Sequence, residues 1–323
     1  MLRSPSYLLL ALLVWGCNPH KREVGPIALV ACPAFSADSA YLYIEQQLAN
    51  GPRIPGTEGH AKMGDLLVRT LEGYGFTVSE QKDTIRLYDE KSIAMRNIIA
   101  SFGASAGERI LLCAHWDSRP VADRDTEDQH SPIDGANDNA SGVAVLMEVA
   151  RLMAISAPTI GVDMVFFDVE DQGRPAFEPV GDPNDHGFCK GSEYWAENLK
   201  ENNYRYGVLL DMVGAKDAVF TLESTSYQYA KPQMLHLWDV ANQLGHGAYF
   251  QYNRTGVVTD DHKNINELAK IPCMDIIQHD ASSVYNFGTY WHTHEDNLQL
   301  IDPATLSAVG QTLVQTIYNE PKE

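Results

Sequence analysis

Near-continuous apolar runs constrain the fold of this chain more than any other feature. Arg109-Ile110-Leu111-Leu112-Cys113-Ala114 is one such run; Met164-Val165-Phe166-Phe167, Gly207-Val208-Leu209-Leu210 and Ile271–Ile277 are others. A strand with one wet face alternates apolar and polar residues, whereas a run that is apolar throughout suits a strand covered on both faces of a parallel sheet. Helical periodicity appears between these runs, at Ser141–Ala154, Ser192–Leu199 and Pro232–Leu244. Leu306–Tyr318 closes the chain as a helix with Leu306, Val309, Leu313 and Ile317 on one face. Upstream, helices are expected at Asp38–Asn50 and Ala61–Gly73, and strands at Phe76–Gln81, Thr84–Leu87 and Arg96–Ser101. Strands alternating with helices predict the α/β class, a single domain with a mixed, largely parallel central sheet flanked by helices. No Pro/Gly/Ser-rich linker or repeat divides residues 38–323, which are read as that domain.

Three of the runs lead into polar residues of one chemical kind. The first reaches His115 and Asp117, the second Asp168 and Glu170-Asp171, the third Asp211. Open α/β sheets bind ligands beyond the carboxyl ends of their strands, so these segments converge at one edge. A lone His or Asp after a strand is ordinarily a turn or cap residue; several such ends in one sheet indicate a site. With Asp138, inside Asn137-Asp138-Asn139, and His292, they offer imidazole nitrogen and carboxylate oxygen. Zinc takes these donors, and a catalytic zinc keeps one position open.

The N-terminus carries an address. Met1-Leu2-Arg3 precedes a short apolar stretch, Tyr7 to Trp15, and then Gly16-Cys17. Residues 1–16 read as a secretory signal, and the stretch is shorter than the roughly 20 residues a membrane span needs. Leu13-Val14-Trp15-Gly16-Cys17 also resembles a bacterial lipobox, with Cys17 as the lipidated first residue, although Trp15 is an unusual occupant. Residues 17–37 then form a tether. The expected location is the periplasm or outer envelope, with membrane contact only through Cys17. The net charge of −19 argues against nucleic acid as a partner. Cys113 and Cys273 lie within apolar strands and are read as buried thiols; export would permit a Cys32–Cys189 bridge, but no spacing selects it.

Taken in order, the motifs resemble the M28 zinc-peptidase superfamily, and within it the glutaminyl-peptide cyclotransferase branch. They are Arg53-Ile54-Pro55-Gly56-Thr57, His115-Trp116-Asp117-Ser118, Gly135-Ala136-Asn137-Asp138-Asn139-Ala140-Ser141-Gly142, Phe166-Phe167-Asp168-Val169-Glu170-Asp171, Gly191-Ser192, Leu209-Leu210-Asp211-Met212-Val213-Gly214-Ala215, Asp260-Asp261-His262 and Trp291-His292-Thr293-His294-Glu295-Asp296-Asn297. Asp260 stands where M28 aminopeptidases usually have Ser, and Trp291 where they commonly have Tyr; both features resemble the cyclases.

The resemblance implies one zinc per chain, held by Asp138, Asp171 and His292, with Glu170 as general base and acid. Asp211 and Asp260 would share a proton and hydrogen-bond the departing amide nitrogen, and Trp291 would wall the substrate pocket. His115 and Asp117 would support the ligands from behind. The implied reaction turns the N-terminal glutamine of peptides and proteins into pyroglutamate with release of ammonia, carried out by a monomer. Two departures from the family stand out. The metal-binding position after the base is often Glu and is Asp171 here, so the opposite assignment, Glu170 as ligand and Asp171 as base, stays open. The Gln172–Lys190 loop offers Phe177 and Phe188 where vertebrate cyclases have a tryptophan. Two alternatives stand beside the cyclase: a dizinc aminopeptidase using His115, Asp138, Asp171, Asp211 and His292, and a catalytically silent binding module on the same fold.

Overall fold

A computed structural model describes residues 25–103, 107–179, 187–200 and 202–321. In chain order the elements are α1 (Ala37–Leu48), α2 (Glu58–Gly73), β1 (Thr77–Arg86), β2 (Ser92–Phe102), β3 (Arg109–His115), α3 (Gly142–Ile155), β4 (Gly161–Phe167), α4 (Lys190–Glu197), β5 (Tyr204–Asp211), β6 (Phe220–Leu222), α5 (Ser224–Tyr229), α6 (Lys231–Gln243), β7 (Phe250–Arg254), α7 (Asp261–Glu267), β8 (Cys273–Ile277) and α8 (Pro303–Asn319). The main sheet runs β1-β2-β4-β3-β5-β8. Strands β4, β3, β5 and β8 are parallel, while β2 is antiparallel to both β4 and β1. This is the mixed, largely parallel sheet that the apolar runs predict.

Alternation along the strands divides the core into two layers. Ile110, Leu112 and Ala114 of β3 face a large cluster containing α1, α2, α3, α6 and α8 residues, among them Ile44, Leu67, Val149, Leu237 and Leu313. Leu111 and Cys113, one residue out of step, face Trp195 of α4 and Ile265 of α7. Both faces of β3 are covered, which is why its sequence shows no polar alternation. The connection from β3 to β4 runs through α3 on the first face, and that from β4 to β5 through α4 on the second. The winding therefore reverses at β3, and the crevice at its carboxyl end is the topological switch point where such sheets bind ligands.

Several elements differ from their expected bounds. Phe76–Gln81 and Thr84–Leu87 form the single strand β1, because β2 pairs with it without interruption from Thr77↔Ser101 to Arg86↔Ser92. Ile271 and Pro272 precede β8 rather than belonging to it. A small parallel pair, β6 with β7, and the helices α5 and α7 were not foreseen; each is too short to show a period. The later part of the expected tether is docked: Ile27 N–H donates to Gln243 (2.7 Å), Val30 N–H to Asn319 (3.0 Å) and Phe35 N–H to Gln311 (2.8 Å). The expected signal and Cys17 lie outside the described residues. Among those described, no helix is long and apolar enough to cross a membrane.

Gly191, in the first turn of α4, lets that helix approach the end of β4. Asn97 clamps the two, its Oδ1 accepting from the Asp168 N–H and its Nδ2 donating to the Gly191 carbonyl, each at 2.9 Å. A Cβ there would collide with the Asp168 carbonyl oxygen and come within 2.7 Å of Asn97 Oδ1. Gly191→Ala is therefore expected to cost about 1–3 kcal/mol or more through overpacking. Gly73→Ala, with nothing near its Cβ position, should be neutral or stabilise by up to about 1 kcal/mol. Urea unfolding of the two variants checks this; an unchanged midpoint for Gly191→Ala would contradict the tight approach.

Candidate active site and metal centre

The loops leaving β3 and β4 are fixed by carboxylates that accept backbone N–H groups, and the loop leaving β5 by the Asn137 amide oxygen and the Ser141 hydroxyl. Asp117, just past β3, accepts the Glu170 N–H on Oδ1 and the Asp171 N–H on Oδ2, each at 3.1 Å. It also holds Gln172 Nε2 at 3.0 Å. Between β3 and α3 the chain makes a π-helical turn, Ala136–Ser141, entered through Gly135 at φ 61°. Asp296 accepts the Asn137 and Asp138 N–H groups at 2.7 and 3.0 Å. Asn137 accepts from the Gly214 N–H, and Asn139 donates to the Leu210 carbonyl, which latches the turn to the end of β5. Arg53 is fully buried and donates to the Trp116, Asp134 and Gly135 carbonyls.

These supports bring Asp138, Asp171 and His292 together, one ligand atom of each lying within 4.8 Å of the others. His292 Nδ1 faces Asp123 Oδ1 at 3.0 Å, which leaves Nε2 turned to Asp171 (3.4 Å) and Asp138 (3.7 Å). A second-layer carboxylate that fixes the ring this way is the usual companion of a metal-binding histidine. Asp171 Oδ2 is buried without a hydrogen-bond partner, a costly state unless a cation meets it. Two carboxylates and one imidazole suit zinc with a fourth position open.

A second group shares Asp138. His115 Nε2 lies 3.0 Å from Asp138 Oδ1 and 3.3 Å from Asp211 Oδ1, while Nδ1 is 3.5 Å from Asp117. Burial opposes its positive charge, but the Asp117, Asp138 and Asp211 carboxylates outweigh that and hold its proton affinity well above the ordinary histidine range. Glu170 occupies a third position. One oxygen accepts from Cys189 Sγ at 3.0 Å, and the other lies 3.9 Å from His115. Burial pushes its carboxyl well up, His115 opposes this, and Asp171 adds to the rise. Asp211 is pushed up to about 8 by burial and by Asp138, and Asp296 to about 7 by the same two causes.

The site opens into a cavity of about 420 Å³ that holds Asp138, Glu170, Asp171, Asp211, Asp260 and His292 along one side. Phe188, Ile277, Phe287 and Trp291 supply apolar wall. Trp291 stacks on His292 with ring centres 3.8 Å apart. Of the two aromatics expected in the loop after β4, Phe188 lines the cavity, whereas Phe177 is exposed and packs on His130. Residues 180–186 of that loop lie outside the described residues.

Asp138, Glu170, Asp171, Asp211, Asp260, Trp291 and His292 line the cavity, His115 and Asp117 support them from behind, and Asp168 turns away to His60 and the Arg96 N–H. Asp171, not Glu170, groups with Asp138 and His292. Cys32 and Cys189 are free thiols, Cys32 beside Gln315 and Cys189 against Glu170. The sequence assigns no site role to Asp123, Arg119 or Asp296, and for Cys189 it offers only a possible bridge to Cys32. Asp296 stood inside a quoted motif, three residues from the Trp291-His292-Thr293 segment. The others follow no strand and carry no local signal.

Comparison with known proteins places the chain. Residues 97–317 match the model of peptidase family M28. The chain belongs to peptidase family M28. It is similar to the Bacteroides thetaiotaomicron glutaminyl cyclase, 43% identical with a TM-score of 0.87 over 90% of this chain and 100% of that one. It is equally similar to a Zn-dependent exopeptidase from Parabacteroides distasonis, 43% identical with a TM-score of 0.86 over 90% and 100%. The glutaminyl-peptide cyclotransferase of Drosophila melanogaster is 26% identical over 79% of this chain and 73% of its own length. Family M28 thus comes here with neighbours named for two activities, and the choice between them turns on the site.

Without metal, Glu170, Asp171, Asp211 and Asp296 hold their protons more tightly than unfolded carboxyls near 4, whereas Asp117 and Asp138 lie below that value and are ionised in both states above about pH 5. Between about pH 4 and about 8 the folded state then binds more protons than the unfolded one, so stability falls as pH rises. The melting temperature of chelator-treated protein should drop from about pH 5 to about pH 8. Zinc, by neutralising the cluster, should raise it and flatten the slope. A metal-free melting temperature that climbs over this interval would contradict the electrostatic reading.

Proposed function

We propose that this chain is a zinc-dependent glutaminyl cyclase, which closes the N-terminal glutamine of peptides and proteins to pyroglutamate and releases ammonia. The observation that carries the reading is the pair Asp211 and Asp260, two buried carboxyls facing the cavity that also holds Glu170 and the Asp138–Asp171–His292 group. Burial and the neighbouring Asp138 push the Asp211 carboxyl up to about 8, which suits it to donate a hydrogen bond to the leaving nitrogen. One zinc per chain, at Asp138, Asp171 and His292, is the corresponding count.

Bound there, zinc supplies Lewis acidity toward the substrate's γ-carboxamide oxygen. The residues of the chain do the rest. The nucleophile is the substrate's own α-amine, already tethered near the carbonyl carbon of the γ-carboxamide, so its attack gains a large effective molarity once the side chain is held folded. Trp291 and Phe287 hold the methylene stem. As the new C–N bond forms, Glu170 takes the proton lost by the amine; as the old C–N bond breaks, it returns one to the leaving nitrogen, which departs as ammonia. Asp211 and Asp260 hydrogen-bond that nitrogen and keep it in line. A base of raised proton affinity in a dry site suits both transfers. Peptides and proteins that begin with glutamine are the partners, and a monomer is sufficient. The basic and apolar N-terminal stretch supports work beyond the inner membrane, with Cys17 as a lipid attachment point.

A second reading has a specific observation behind it. His115, Asp138 and Asp211 also place ligand atoms within 4.8 Å of one another, and a second zinc there would give a dizinc aminopeptidase. The two readings part on product. A Gln-initiated dipeptide incubated with zinc-loaded protein should lose the mass of one ammonia with its peptide bond intact. Glu170→Gln should lower kcat by about 10²–10⁴ with little change in KM. Release of free glutamine, with two tightly bound zincs per chain, would sink the cyclase reading in favour of the peptidase.

A further inference from the structure

Beside the catalytic cavity lies a second one, of about 610 Å³, that the reaction leaves unused. Thr221, Thr255, Gln278 and His279 border both. That shared border is firmly built. An antiparallel bridge joins Phe220 to Gln278, the His279 N–H donates to the Val219 carbonyl at 2.8 Å, and the Thr221 and Thr255 hydroxyls meet at 2.9 Å. The two cavities therefore meet along the seam between β6 and the carboxyl end of β8.

Their linings differ in kind. Around its carboxyls the first cavity is walled by Phe287, Trp291, Val257 and Val258. In the second, Gln251, Asn253 and Thr255 present amides and a hydroxyl from alternate positions along β7 and just beyond it, as one face of a strand does. Tyr252, between the first two, turns away to Asp239 at 2.6 Å. Thr289 and Tyr290 stand opposite, in the loop after β8. The Tyr290 hydroxyl donates to Gln278 Oε1, and the Gln278 amide nitrogen makes no hydrogen bond among the described residues. Lys216, Asp217 and Arg254 bring charges of both signs, and all three are exposed, so this cavity is an open groove. Its volume falls in the range of ordinary ligand pockets, and its lining suits a chain that carries its own N–H and C=O groups.

The reacting glutamine decides how such a chain would enter. Its side chain and α-amine face the carboxyls, so its α-carbonyl and everything after it leave by another side. One exit passes Val257, which is 70% exposed, and Val258. The other passes Thr221 and Gln278 into the second cavity. Peptide groups that give up water need new hydrogen-bond partners; the valines offer no side-chain partner, whereas the second cavity is lined with them. We propose that the second cavity binds the downstream part of the substrate: the residues beyond the second in a Gln-initiated peptide or protein, extended between β7 and the loop after β8, with polar side chains preferred. The proposal rests on the cyclase reading for the identity of the first residue, so its first test does not use turnover.

Calorimetry on zinc-loaded Glu170→Gln protein, too slow to consume its ligand, compares a Gln-initiated dipeptide amide with a hexapeptide amide that carries Ser and Asn beyond the second residue. The hexapeptide should bind about 10-fold tighter or more, the scale of two or three added hydrogen bonds. Leucine at the same positions should forfeit most of that gain. Asn253→Trp, which fills the groove from its exposed edge, should erase the advantage of the longer peptide. Thr289→Trp does the same from the opposite wall, and carries the comparison should the first variant fail to fold. Equal affinity for the two lengths, a gain as large with leucine, or an advantage that survives both tryptophans overturns the proposal. In turnover by the wild-type enzyme the same length preference should appear in KM, with kcat little changed. Release of free glutamine in place of ammonia fails the cyclase reading instead, and leaves the binding ratios to judge the second cavity on their own.

Discussion

Negative charge withdrawn from water governs this molecule. Asp117, Asp138, Glu170, Asp171, Asp211, Asp260, Asp261, Asp275 and Asp296 are all buried around one crevice. An isolated buried carboxylate costs so much that it protonates, pairs or binds a cation instead. The first two are present among the described residues, and the Asp138–Asp171–His292 group suits the third. Asp117 and Asp296 spend their charge on backbone N–H groups, and in doing so hold the loops that carry Glu170, Asp171 and Asp138. Asp123 pairs through both oxygens with Arg119 and also meets His292. Asp211 and Asp275 sit in surroundings that favour the neutral acid. Asp138 and Asp171 remain, the pair that with His292 would hold the proposed zinc.

This division of labour explains why the fold and the site were unequally legible. The parallel sheet could be read because β3, β4 and β5 are covered on both faces, which removes the polar alternation and leaves unmistakable apolar runs. Their carboxyl ends then named His115, Glu170 and Asp211 by position alone. Asp123 and Arg119 follow no strand and lie on an irregular stretch, where an Asp four residues from an Arg looks like any solvated pair. Their burial comes from loops closing over them, which no local period records. Cys189 was set aside as a possible half of a disulfide, yet its place is decided by the turn into α4, whose backbone brings the thiol to Glu170.

The short elements are a second case. Strands β6 and β7 and the helix α7 offer too few residues for a pattern to emerge. They nevertheless complete the cavity, since β6 contributes Thr221 to the wall and Asp260 caps α7. Position on the sheet edge was readable from sequence; the far wall, built from connections, was not.

Asp171 shows how the chain adapts to a shorter ligand. An aspartate reaches one methylene less far than the glutamate common at this point in the family, so to hold the proposed zinc with Asp138 and His292 its backbone would have to come closer. Two hydrogen bonds and one turn fix that backbone. The Asp171 N–H is held by Asp117, its carbonyl accepts from Arg119 Nη1 at 3.0 Å, and Val169 turns the chain through a left-handed residue at φ 55° just before it. Arg119 is itself fixed by Asp123, the carboxylate that orients His292. One buried guanidinium thus sets the distance between two ligands, so a change at Arg119 or Asp123 would disturb Asp171 and His292 together. The position of the ligand after Glu170 is decided by its supports as much as by its own side chain.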